Sequence, residues 1–188
     1  MGDTVMSLLE QTGAVLKGHF LLSSGRHSGG YVQCAKLLRF PDKAAAVLAE
    51  AIKKIENLPD VVVGPAIGGI NVSYEVARQL GVESLFTERV DNVMQLRRGF
   101  EIQNGAKVLI TEDVLTTGRS AKEAIEAIRP FEVEIVGVLC IVDRMMGHNP
   151  FDAPLYSAAT LDIETYEADA CPLCKAGGRP VKPGSRKF

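Results

Sequence analysis

The residues richest in chemistry lie in one run, Val108-Leu-Ile-Thr-Glu-Asp-Val-Leu-Thr-Thr-Gly-Arg-Ser120. Its apolar start, Lys107 to Thr111, reads as a buried strand, with two adjacent acids, Glu112 and Asp113, at its C-terminal end. Val114 and Leu115 follow, and then Thr116, Thr117, Gly118, Arg119 and Ser120, which open a helical pattern running from Ser120 to about Ile128. Neighbouring carboxylates can accept hydrogen bonds from vicinal sugar hydroxyls. Backbone N–H groups and hydroxyls at a helix start can hold a phosphate, helped by the helix dipole. The run therefore reads as a sugar-phosphate site, placed where open α/β sheets bind ligands, beyond the carboxyl ends of their strands. An ordinary capped helix needs neither two acids nor so many small loop residues.

Three further groups have chemical content. Gly64-Pro-Ala-Ile-Gly-Gly-Ile70 follows a Val61-Val-Val63 strand, and its small residues let the backbone approach an anion closely, although any tight strand-to-helix turn can use glycine. Ser23-Ser-Gly-Arg-His-Ser28 is a polar loop shortly before Tyr31, whose ring can border a flat ligand or simply pack. Asp143-Arg144 ends the last long apolar strand; a guanidinium fork matches a planar carboxylate, while a surface arginine is the plainer reading. Cys171-x-x-Cys174 is half of a zinc pattern, and no second pair is spaced to complete it, so no protein metal site is expected. Cys34 and Cys140 sit in apolar strands and read as core. His19, His27 and His148 are scattered.

These groups must be positioned by the surrounding elements. Asp3 to Gly13 has the pattern of a short amphipathic helix closed by glycine, Tyr31 to Cys34 a short strand, and Pro41 to about Ile55 a helix. A helix from about Asn71 to Leu80, stopped by Gly81, leads to a strand at Val82 to Phe86. Residues 87–106 are charged and poorly patterned, and Ile135 to Val142 is a continuous apolar strand. The alternation of strand and helix predicts an α/β fold with a mostly parallel sheet, right-handed crossovers and helices on both faces. With 188 residues, 46% of them hydrophobic, one domain covering 1–188 is expected, with a small N-terminal lobe over about 1–40 and an irregular tail over about 167–188. The net charge of −2 gives no field favouring nucleic acid or an anionic membrane. No apolar run approaches the ~20 residues that span a bilayer, and the N-terminus has neither a signal-peptide pattern nor Ser or Thr at position 6 for a lipid anchor. A cytoplasmic protein with reduced cysteines is expected.

The acid pair followed by Thr-Thr-Gly resembles the phosphoribosyl-diphosphate (PRPP) signature of the type I phosphoribosyltransferases. Phe20-x-Leu-x-Ser-Gly-Arg-x-Ser before an aromatic, Gly64-Pro-Ala, Arg89, the 112–120 run and Asp143-Arg144 stand in the order of the orotate phosphoribosyltransferase family, across about 14–145. Leu96-Arg-Arg-Gly-Phe100, Cys171-Pro-Leu-Cys174 and Lys182-Pro-Gly-Ser-Arg186 resemble one prokaryotic branch of it. The resemblance implies the type I phosphoribosyltransferase fold, with the N-terminal lobe covering the base, and transfer of the phosphoribosyl group from PRPP to orotate in pyrimidine synthesis, with Mg²⁺ bound mainly through PRPP. It assigns Glu112 and Asp113 to the ribose hydroxyls, positions 114–120 to PRPP with Thr116 to Ser120 on its 5′-phosphate, Thr116 and Arg144 to orotate, and Arg89 to the pyrophosphate across a homodimer interface. Arg89 and Asp113 are the expected catalytic residues. The chain departs from better-known members at three places: Gly68 and Ser23 stand where they carry lysine, and the segment after Arg89 has neither lysine nor histidine. Arg97 and Arg98 are the other cations of that segment. Two alternatives are a transferase for a purine or other base, which Arg144 opposes, and a non-catalytic PRPP or nucleotide sensor, which the missing lysines favour.

Overall fold

The computed structural model describes residues 2–22 and 24–183, with the backbone alone for Gly2 and Asp3. Ser23 and residues 184–188, where parts of the 23–28 loop and of the basic tail fall, lie outside the described residues. In chain order the elements are α1 (Gly2–Gln11), β1 (Val15–Leu21), β2 (His27–Val32), α2 (Ala35–Leu38), α3 (Pro41–Ile52), β3 (Val61–Pro65), α4 (Gly68–Leu80), β4 (Glu83–Val90), β5 (Val93–Leu96), β6 (Lys107–Leu115), α5 (Arg119–Ile128), β7 (Glu134–Asp143), β8 (Leu155–Thr160), β9 (Thr165–Tyr166) and α6 (Pro172–Lys175).

Six strands form the main sheet in the order β5-β4-β3-β6-β7-β8. All neighbours run parallel except the β4–β5 hairpin. Alternation along the strands explains why the central ones are apolar throughout. Val62, Leu109, Leu139 and Ile141 face α1, α3 and α4, whereas Val61, Val63, Val108, Ile110, Val138 and Cys140 face α5 and Phe151. With helices on both sides, each residue of these strands meets a core. Fully burying a Val, Leu or Ile side chain contributes roughly 1.5–3 kcal/mol, and Val62, Leu109, Ile110, Leu139 and Ile141 are all at 0% exposure.

Several boundaries differ from the sequence reading. β6 does not stop at Thr111; its ladder with β7 continues through Glu112↔Cys140, Val114↔Val142 and Leu115↔Asp143. Segment 87–106 contains a hairpin, because Asp91 (φ 50°) and Asn92 (φ 65°) adopt the left-handed turn that joins twisted strands. The small sheet has the order β1-β2-β9, so the lobe expected from residues 1–40 borrows a strand from 165–166, while α1 packs into the main core through Val5 and Leu9. The tail expected to be irregular carries α6, and Val181 donates to His19 O at 2.8 Å and accepts from Leu21 N at 2.9 Å.

Candidate active site

Strand order places the site. From β3 the chain crosses by α4 to β4 on one side, and β6 then lies against the other side of β3. This reversal opens a crevice at the carboxyl ends of β3 and β6, the position at which such sheets bind ligands. A cleft of about 1140 Å³ lies there, lined by Tyr31, Arg89, Asp113, Val114, Thr116, Thr117, Arg119, Ser120 and Arg144, among others. A smaller cradle of about 60 Å³ adjoins it, formed by Glu112 and residues 114–120. Every residue assigned by the sequence reading to PRPP or orotate thus lines one of these two spaces. A separate cleft of about 700 Å³, between α5 and residues 150–153, contains none of them.

The two acids face different spaces. Asp113 lines the large cleft; its Oδ1 accepts the Val114 N–H at 2.8 Å. Glu112 lines the small cradle and is 9% exposed. Burial first, and the adjacent Asp113 charge second, push Glu112 up to about 8, against which the Asp113 N–H donated to its Oε1 at 3.1 Å works only partly. The buried carboxyl therefore holds its proton to a higher pH than a free glutamate does, and in that form it can donate one hydrogen bond as well as accept.

Two glycines fix the backbone here. Gly118 caps α5 at φ 70°, and a Cβ there would lie 2.8 Å from Phe151 Cζ, so the turn that opens the first-turn amides admits no side chain. Thr117 Oγ1 accepts the Arg119 N–H at 3.4 Å. Gly68 begins α4, and a Cβ there would meet the Asp113 carboxyl at 2.5 Å. A side chain at this position would therefore have to displace the Asp113 carboxyl. The loop 64–70 supports the acid from behind; it is not among the residues lining either space.

Arg144 follows β7. The buried Asp143 accepts the Met145 N–H at 2.7 Å, and Arg144 N donates to Leu115 O at 2.9 Å, so the turn is held on both sides of the guanidinium. Among the described residues Arg144 forms no ion pair, and its Nε is buried without a hydrogen-bond partner. Burial lowers its pKa from the ordinary value, and only the Tyr31 hydroxyl opposes this. An arginine left in this condition on the cleft wall has free donors with which it can pair a planar anion. Tyr31 stands on the same cleft wall, its ring tilted against Phe20 at 5.8 Å between centroids.

Arg89 lines the cleft of its own chain and pairs with Glu123, which also holds Arg119 at 2.7 Å. Burial works against the charge on Glu123, yet Arg119 and Arg89 bring its pKa below the ordinary value. Arg97 and Arg98 are not in the cleft lining; both pair with Glu88, Arg98 at 2.9 Å and Arg97 at 3.6 Å. Arg26 turns away from a base position and stitches β9, donating to Thr165 Oγ1 at 3.1 Å and Thr165 O at 3.0 Å. His27, read from the sequence as part of the polar 23–28 loop, opens β2 and is buried against His19 and Cys174. Sequence reading missed this grouping because its cysteine half lies near the opposite end of the chain.

A parallel sheet with an acid pair and a Thr-Thr-Gly phosphate cradle at its switch point is the architecture of a phosphoribosyl-transferring enzyme, and the Phosphoribosyl transferase domain family matches residues 34–169. The chain is 53% identical over 187 residues to the orotate phosphoribosyltransferase of Caldanaerobacter subterraneus, covering 99% of this chain and 98% of that one. It is 52% identical over 188 residues to that of Caldicellulosiruptor saccharolyticus, covering 98% and 97%. The crystal structure of orotate phosphoribosyltransferase from Aeropyrum pernix superposes with a TM-score of 0.71 at 27% identity, over 84% of this chain and 93% of that one. The chain belongs to the phosphoribosyltransferases and, within them, to the orotate phosphoribosyltransferase family.

Proposed function

We propose that the protein transfers the 5-phosphoribosyl group of PRPP to orotate, giving orotidine 5′-monophosphate and pyrophosphate in pyrimidine synthesis. The observation that carries the choice of base is Arg144, a half-buried guanidinium without a carboxylate partner among the described residues, on the wall of the cleft that also holds the phosphate cradle. Orotate brings a planar carboxylate to pair with it; purines and uracil bring none. Thr116, beside it on the cleft wall, reaches the same base.

The remaining roles follow from position. Amides and hydroxyls of Thr116 to Ser120 hold the 5′-phosphate at the start of α5. Asp113 and Glu112 take the ribose hydroxyls, Asp113 as acceptor and Glu112, while protonated, as donor too. Arg89, released from Glu123, meets the departing pyrophosphate, so the reacting groups are oriented and the leaving charge is neutralised as the glycosidic bond to pyrophosphate breaks and the bond to orotate forms. Mg²⁺ would be bound mainly through PRPP and water, with Asp113 the carboxylate that opens on the same cleft; it would supply neutralising charge to the pyrophosphate. A homodimer is part of this proposal, as is a cytoplasmic location; no helix of the described residues is long and apolar enough to cross a membrane.

The test is loss of orotate absorbance with purified protein, PRPP and Mg²⁺, run beside adenine, hypoxanthine and uracil. Turnover with orotate alone is the expected result. Turnover with a purine would overturn the assignment to Arg144, and PRPP binding without turnover of any base would replace the enzyme with a sensor.

A further inference from the structure

The lobe that covers the cleft contains a second cluster of chemical groups. His19 lies in β1, where the register with β2 shifts between Lys17 and Phe20; the irregularity spans Gly18 and His19. His27 opens β2, opposite Leu21. Cys171 precedes α6 and Cys174 lies within it, in a turn tightened by Lys175 N to Cys171 O at 3.2 Å and Gly177 N to Cys174 O at 2.9 Å. Their donor atoms converge within 4.8 Å of one another. His19 Nε2 and His27 Nδ1 are 3.0 Å apart, Cys174 Sγ is 3.3 Å from His27 Nδ1 and 3.7 Å from His19 Nε2, and Cys171 Sγ is 3.5 Å from His19 Nε2.

Those spacings have a chemical meaning. A tetrahedral ion with Zn–S of about 2.3 Å and Zn–N of about 2.05 Å has N···N edges of about 3.3 Å and S···N edges of about 3.6 Å. Four of the six edges, His19–His27, Cys174–His27, Cys174–His19 and Cys171–His19, fall within about 0.4 Å of these values, and all six lie within 4.8 Å. Two imidazoles and two thiols are the borderline-soft donor set that selects zinc over Mg²⁺ or Ca²⁺. Cys171 is at 0% exposure and His27 at 7%, so the cluster is enclosed rather than a chance surface grouping. His19 Nδ1 is buried without a hydrogen-bond partner among the described residues, and its Nε2 faces the cluster.

We propose that His19, His27, Cys171 and Cys174 form a structural zinc site that fastens the C-terminal segment to the base-covering lobe. Four protein ligands complete the tetrahedron and leave no open position, which makes the site structural rather than catalytic. The lobe needs such a fastening. Its sheet has three strands, one of only two residues, and a sheet this small has little stability of its own. The ion ties two turns at opposite ends of the chain, closing the long loop between them and lowering the entropy of the unfolded state. β2, which carries His27, also carries Tyr31 on the cleft wall, so the site holds part of the substrate enclosure in place. The inference rests on the cluster itself and does not depend on the base the enzyme uses.

The test is metal analysis of the untagged full chain, purified under reducing conditions, loaded with excess Zn²⁺ and desalted. About one zinc per chain is expected. Replacement of the ion by Co²⁺ should give the intense visible bands and thiolate charge transfer of a tetrahedral cobalt thiolate site. Cys174→Ser should weaken zinc binding at least tenfold, while His148→Ala, which alters an exposed histidine outside the cluster, should leave it unchanged. Zinc far below one per chain in the wild type, an octahedral cobalt spectrum, or undiminished zinc in Cys174→Ser would each overturn the proposal. The wild-type cobalt spectrum decides even if a variant fails to fold.

Discussion

Replacing Glu112 with glutamine asks whether the buried acid is neutral in the free protein. Glu112 is 9% exposed, and burial together with the Asp113 charge raises it from 4.5 to about 8. A carboxyl raised in the folded state holds its proton more tightly there than in the unfolded chain. Its protonated form therefore supports the fold fully below pH 4.5, and that support is lost progressively as the pH rises through about 8. At about 1.4 kcal/mol per pKa unit, linkage between these two values sets a ceiling of roughly 3–4 kcal/mol on the stability lost between pH 5 and pH 8. Residual hydration of the cradle and relaxation of Asp113 reduce this, and roughly 2 kcal/mol is expected. Glutamine keeps the shape and cannot ionise, so it should lack this slope. The assay is urea unfolding of both proteins at pH 5 and pH 8, followed by circular dichroism. The wild type should lose roughly 2 kcal/mol relative to Glu112→Gln across that interval. Parallel curves would refute the reasoning, since they would mean that Glu112 is already ionised at pH 5 despite its burial.

Three further substitutions probe the cleft. Arg144→Ala removes a charged, bidentate partner worth about 3 kcal/mol, so the orotate KM should rise roughly a hundredfold while PRPP binding stays within about threefold; equal losses for both substrates would remove Arg144 from the base site. Gly68→Ala puts a Cβ 2.5 Å from the Asp113 carboxyl; PRPP kcat/KM should fall at least tenfold with little change in melting temperature, and unchanged kinetics would detach Asp113 from PRPP. Gly118→Ala combines a left-handed backbone with a contact of 2.8 Å to Phe151; a loss of roughly 2–3 kcal/mol in urea unfolding is expected, and wild-type stability would contradict the tight packing of the loop.

What the sequence made legible follows from where its signals are local. The apolar runs of β3, β6 and β7 and the Gly81 stop of α4 depend on neighbours a few residues away, and all stand close to where the pattern put them. The end of β6 was misplaced because a strand that continues through Glu112 and Asp113 depends on the ladder to β7, which local pattern does not encode. β8, with its Ser157-Ala-Ala159 interior, has little strand propensity and forms because β7 offers it an edge. The same limit applied to the site. The phosphate cradle is contiguous and could be read directly. The Cys/His cluster joins a bulged strand to a turn near the other end of the chain, and only tertiary structure brings them together.

One departure from the family pattern, Gly68, has a steric counterpart in the structure. Where better-known members place a lysine on the pyrophosphate loop, this chain has Gly68, and the Asp113 carboxyl occupies the space a Cβ would need. A side chain at that point would displace the Asp113 carboxyl from where it now stands. In the proposed reaction the charge that meets a leaving pyrophosphate would come from Arg89, on the cleft wall beside Arg119. Both are held on Glu123 in the free protein, and both pairs are partly exposed, so each is a weak attachment. A pyrophosphate carries more charge than one carboxylate and presents several oxygens, so under the proposed function it would compete with Glu123 for the Arg89 guanidinium. Glu123 holds both arginines at the cleft wall through partly exposed pairs. In the proposed reaction the delocalised fork of Arg89 would do the work of a point-charge lysine, and because Arg89 lies in β4, paired with Met94 across a short hairpin, it already stands at the cleft wall.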